Sequence, residues 1–138
     1  MALLMTACGA KETTRNTENI SDALISYLPS DAEKQEDEVI EQLLDLPSEK
    51  IESVDAYFSQ TEPEKMLVVV NAKDSGTAMD VQEKMNAYVS TLENTAALYN
   101  PDQLALIQNA YVISKGNTAI LVICDDVENA KKAASSMK

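Results

Sequence analysis

Apolar positions along the chain change their period several times, and each change marks an element. Ile20, Ala23, Leu24, Tyr27 and Leu28 share one helical face, and Pro29 ends that run. Between Ser30 and Glu52 the apolar residues thin to Val39, Ile40, Leu43, Leu44 and Leu46, enough for a short helical turn or two. From Ile51 to Gln60 the period falls to two. Val54, Ala56 and Phe58 line one face there, and Asp55, Tyr57 and Ser59 the other, which predicts a half-buried strand. After the turn Thr61-Glu62-Pro63-Glu64, the stretch from Met66 to Val70 is apolar on both faces, as an internal strand is. Beyond Asp74-Ser75-Gly76 the helical spacing returns at Val81, Met85, Tyr88, Val89, Leu92, Ala96 and Tyr99, and Pro101 closes it. A short helix with Leu104 and Ile107 inward comes next. A second hairpin, Ala110 to Ser114 and Thr118 to Asp125, then turns on Gly116-Asn117. Val127, Ala130, Ala134 and Met137 line a last helix, which Asp125 or Asp126 can cap.

The order helix, two strands, helix, two strands, helix reads as two ββα halves of one α+β domain. The two most apolar strands, Met66 to Val70 and Ala119 to Cys124, belong at the centre of a four-stranded antiparallel sheet in the order 1-2-4-3. The helices Thr77 to Tyr99 and Val127 to Met137 are expected to share one face. The N-terminal helix, with Leu43, Leu44 and Leu46, is expected to close the other; a dimer or ligand surface is the alternative.

Composition narrows the chemistry. The 138 residues are 45% hydrophobic, which suits one domain with a real core, and no apolar run reaches the length of a membrane-spanning helix. With 23 acidic and 11 basic side chains the formal charge is −12, which disfavours nucleic acid as a partner. Histidine is absent, so the commonest general base and the commonest transition-metal ligand are missing. There is no Gly-x-Ser-x-Gly nucleophile turn and no phosphate-cradling glycine loop. The acidic residues from Asp31 to Glu52 lack calcium-loop spacing and read as a solvated face. Asp125-Asp126 reads as a capping pair, Cys124 as a small buried hydrophobe, and Tyr57 and Tyr111 as packing residues. No catalytic residue, metal ligand or cofactor site is expected.

The run Leu3-Leu4-Met5-Thr6-Ala7-Cys8-Gly9 resembles the end of a bacterial lipoprotein signal peptide. That resemblance implies a signal peptide, shortened at its start, over residues 1–7. It implies diacylglycerol on the Cys8 thiol, a polar tether over residues 8–19 and a folded domain over residues 20–138. With Cys8 acylated, Cys124 has no partner for an intramolecular disulfide.

The element order, with Val54-Asp55-Ala56-Tyr57, Ala110-Tyr111-Val112-Ile113-Ser114-Lys115-Gly116-Asn117 and Leu121-Val122-Ile123-Cys124-Asp125-Asp126, resembles domain of unknown function 4358. The likeness runs from Ile20 to Lys138. It departs at Leu44-Asp45-Leu46, where a tyrosine is expected to open the short motif before the first strand. The family occurs mostly as lipoproteins of low-GC Gram-positive bacteria and implies no catalytic residues. Together the two resemblances imply a lipoprotein on the outer face of the cytoplasmic membrane, held there by Cys8. Its expected role is that of a binding or interaction module, with a protein or small-molecule partner unidentified and a homodimer open. The alternative is a metal-assisted cell-envelope hydrolase using carboxylate ligands. Because the tether offers no apolar face, a chain shortened to begin at Glu18 is expected to melt with the full chain; a drop of several degrees would show that the tether docks.

Overall fold

The computed structural model describes residues 20–136. Residues 20–25 are helical (α1). There follow β1 (Ala32–Lys34), α2 (Asp37–Leu44), a 3-10 turn (Ser48–Lys50), β2 (Ile51–Ser59), β3 (Met66–Ala72) and α3 (Ser75–Tyr99). A second 3-10 turn (Pro101–Gln103) then leads to α4 (Leu104–Gln108), β4 (Tyr111–Lys115), β5 (Thr118–Ile123) and α5 (Val127–Ser136). The strands form one antiparallel sheet in the order β1-β2-β3-β5-β4. Its last four strands keep the expected order, and both hairpins lie in the same sheet.

The sheet has five strands rather than four, and the extra one is β1. Ala-Glu-Lys carries no apolar alternation, so periodicity could not find it. Backbone pairing to Tyr57–Ser59 and polar side chains hold it instead.

Register explains the core. Ala56, Val68, Leu121 and Val112 stand in one row across the four long strands, and Tyr57, Leu67, Val122 and Tyr111 in the next. The first row faces Ile40 and Leu44 of α2, Val81 and Met85 of α3, and Ile107 of α4. The second faces Ile20 and Leu24 of α1, and Val127, Ala130 and Ala134 of α5. Here α5 departs from expectation, because it covers the face opposite α3. The chain leaves β5 with Cys124 on the α1 side, and Val127 continues that side into the helix. Both faces of β3 and β5 are apolar, and α2, α3 and α4 already fill one of them. The other face needs more cover than α1 alone, so α2 and α5 exchange the sides foreseen for them.

The helix ends are set by local chemistry. The Asp74 carboxylate accepts from the Thr77 N–H at 2.7 Å, which starts α3 two residues before Thr77. Asp45 ends α2 in the left-handed region at φ 55°, a conformation that aspartate tolerates better than most residues. The N–H of Leu46 then reaches back to the Glu41 carbonyl at 2.8 Å, and the Leu46 side chain is buried. Gly116, at φ 58°, takes the first central position of the two-residue β4–β5 turn, where a side chain would be strained.

Leu121 is fully buried in the central strand β5. Leu121→Asp is expected to abolish cooperative unfolding in a thermal melt, since an unpaired core carboxylate costs several kcal/mol against a total stability of about 5–15 kcal/mol. A soluble variant with an ordinary melt would show that the centre of the sheet is elsewhere.

Candidate functional site

The polar side chains that could do chemistry gather at one end of the sheet, where the β2–β3 turn meets the ends of other strands. Asp31, just before β1, accepts from the Ser59 hydroxyl at 2.8 Å, the Thr61 hydroxyl at 2.7 Å and the Thr61 N–H at 3.0 Å. These donors, the Thr61 hydroxyl foremost, hold its carboxyl below the ordinary range. The Ser59 oxygen in turn accepts from the Glu62 N–H at 3.0 Å. Lys65 is buried along its stem and sends its ammonium to Asp125 at 2.7 Å and Glu62 at 3.0 Å. Asp125 above all keeps that lysine more basic than usual. A serine, a lysine and three carboxylates thus meet here, and hydrogen bonds and ion pairs tie each of them to the turn.

The residues singled out from sequence land as follows. Asp125 pairs with Lys65, while Asp126 caps α5 by accepting from the Asn129 backbone at 3.4 Å and from its side-chain amide at 2.9 Å. The two carboxylates are adjacent in sequence but serve different partners. Cys124 is a buried free thiol, and burial pushes it up to about 11. A thiol so placed is a poor nucleophile at neutral pH. Tyr57 and Tyr111 are half-buried against the α1–α5 core. In the acidic stretch, Asp45 faces Lys84 at 3.4 Å and Asp37 and Glu38 sit in the first turn of α2. No three His, Cys, Asp or Glu side chains converge as metal ligands among the described residues. No helix among them is long and apolar enough to cross a membrane. Cys8 lies outside the described residues.

Two further networks carry no signal in the local sequence. Asp55 accepts from the Lys34 ammonium at 3.1 Å and the Ser21 hydroxyl at 3.2 Å, joining α1, β1 and β2. Ser114 donates to the Gln82 side chain at 2.6 Å, fixing β4 to α3. Their partners lie 34 and 32 residues apart, so only the fold reveals them.

One part of the sheet is left open. Among the described residues β4 is an edge strand that pairs only with β5. Its two-residue turn makes Lys115 and Thr118 a bonded pair, so Tyr111, Ile113 and Lys115 direct their backbone groups at β5. Val112 and Ser114 therefore turn their N–H and C=O groups outward, and no strand among the described residues takes them. Two lysines stand at this edge, and Glu128 lies 3.9 Å from one of them, Lys131. Lys131 stands 5.8 Å over the Tyr111 ring, and the Lys115 ammonium donates to the Ser135 carbonyl at 2.6 Å. Lys132, next on α5, is exposed.

Comparison with known families adds one result. Residues 25–124 match the model for Domain of unknown function (DUF4358). The chain belongs to this family. In DUF4358 terms the match runs from the last residue of α1 through β5, stopping at Cys124. No curated protein and no solved structure matches the chain.

Because burial raises the folded Cys124 thiol above its unfolded value of 9.0, the stability it contributes is complete below pH 9.0 and is lost as the pH passes 11. In a Cys8→Ser background, thermal melts between pH 9 and 11 should fall more steeply with Cys124 present than in Cys124→Ala. Ellman's reagent should reach Cys124 only on unfolding. Rapid labelling of the native chain would contradict its burial.

Proposed function

We propose that this DUF4358 protein is a lipoprotein of the bacterial cell envelope, anchored to the outer face of the cytoplasmic membrane through diacylglycerol on Cys8, whose folded domain binds a partner rather than catalysing a reaction. The signal-peptide-like run Leu3 to Gly9 supports the anchor. The polar character of residues 11–19 suits a tether that holds the domain off the surface.

The observation that carries the binding role is the outward backbone edge of β4, beside side chains that already have structural partners. Ser59, Lys65, Asp31 and Asp125, the groups best suited to acid–base or nucleophilic work, are bound into the turn at the end of the sheet. An unpaired edge is a template for another chain, and natural sheets leave one open only where it is short, charged or used.

Two measurements test the proposal. Expressed behind a complete lipoprotein signal peptide, the protein should fractionate with membranes and take up labelled palmitate, and Cys8→Ala should lose both properties. An unmodified N-terminus in the native host, seen by mass spectrometry, would remove the anchor. Titration with calcium or zinc should leave the melting temperature unchanged; a saturable rise would favour a metal-dependent hydrolase, since a ligand of the native state must stabilise it.

A further inference from the structure

We infer that the β4 edge takes up an extended acidic segment of a partner protein as a sixth strand, paired through the outward backbone groups of Val112 and Ser114. The inference rests on the reading of this domain as a binding module and names its site and partner chemistry. The edge meets the requirements for strand addition. Tyr111 to Ser114 contains no proline, no bulge and no charge, the devices that usually block such pairing, and the strand's charged residue, Lys115, stands at its end beside the turn. It is also held rigid: Val112 packs into the α3 core, Ile113 and Tyr111 into the α1–α5 core, and Ser114 is tied to Gln82. The opposite edge, β1, has only three residues, two of them charged.

Charge selects the occupant. The chain carries a net −12, yet Lys115 lies on this edge and Lys131, 3.9 Å from Glu128, stands over its Tyr111. Side chains of an added strand alternate, so those on the α5 side would stand opposite Tyr111, Ile113 and Lys115. An apolar residue fits against Ile113. Acidic residues two positions to either side fit against Lys115 and against Lys131 above Tyr111. The favoured segment is therefore acidic, any, apolar, any, acidic, a pattern that reads the same in both chain directions. A second copy fits poorly. Antiparallel pairing about Ile113 would set Lys115 of each copy opposite Tyr111 and its Lys131 in the other, bringing like charges together twice between two acidic molecules.

The test uses the full chain and a fluorescent peptide, Thr-Glu-Thr-Val-Thr-Glu-Thr, followed by fluorescence anisotropy. Binding should saturate, weaken as salt is raised, and fall about tenfold when lysine replaces both glutamates. N-methylation of the peptide on alternate residues, in the frame that blocks the β4-facing N–H groups, should abolish binding. Ser114→Pro should also abolish it, because proline removes an outward N–H yet is tolerated in an edge strand. Should that variant fail to fold, the surface pair Lys115→Glu and Lys131→Glu decides instead, and is expected to lose the preference for the glutamate peptide. No binding, or equal binding of the lysine or N-methylated peptide, would overturn the inference. So would concentration-dependent dimerisation in sedimentation equilibrium that Ser114→Pro removes, since the edge would then join two copies. Failure of peptide binding with Cys8-dependent membrane retention intact would remove this partner and leave the membrane anchor standing.

Discussion

The structure depends on two neighbouring strands that are apolar on both faces. Met66 to Ala72 are buried throughout β3, and Ala119 to Ile123 throughout β5. A strand with one apolar face can leave the other in water; these cannot. Every other element answers that demand. α2, α3 and α4 close one side, α1 and α5 the other, and β2 and β4 flank the pair with alternating sequences that suit a less central position. Burying each Val or Leu contributes about 1.5–3 kcal/mol, so the doubly covered strands hold a large share of the stabilising burial.

The acidic composition looks costly beside this, yet the carboxylates are put to structural use. Asp74 and Asp126 cap helices, Asp31 gathers the donors of the β2–β3 turn, and Asp55 links three N-terminal elements. In each case the partner is a backbone N–H, a hydroxyl or a lysine held at short range. Such local interactions are little affected by the repulsion among the remaining carboxylates, which water and salt screen. Nothing in these arrangements asks for histidine, and no active-site chemistry is needed to explain the charge pattern.

Much of the architecture was legible because long elements carry strong periodicity. The α3 spacing, the doubly apolar β3 and β5, the Gly116-Asn117 turn and the order of the four long strands all follow from residue pattern and connection rules. What escaped was short, or lay in the relation between elements. β1 is held by its pairing to β2, by Asp31 and by the ion pair of Lys34 with Asp55, none of which shows as apolar periodicity. The side taken by α5 turns on which way Cys124 points and on how fully α3 occupies its face; neither is a property of the α5 sequence. For the candidate site, the burial of Cys124 and the capping role of Asp126 were readable from their neighbours. The Lys65–Asp125 pair spans 60 residues, and the open edge of β4 exists only once the strand order is known.

The seam between β3 and β5 also governs time. Each hairpin joins near neighbours and can close within microseconds. The seam pairs Met66 with Ile123 and Asn71 with Thr118, partners 57 and 47 residues apart by subtraction. Closing so long a loop must precede any reward from its contacts, which slows mixed topologies relative to helical bundles. α3 shortens the search by spanning most of that loop as one rigid rod of 25 residues. Until the halves meet, both doubly apolar strands stand exposed, so the interval before docking is when this chain is most prone to aggregate.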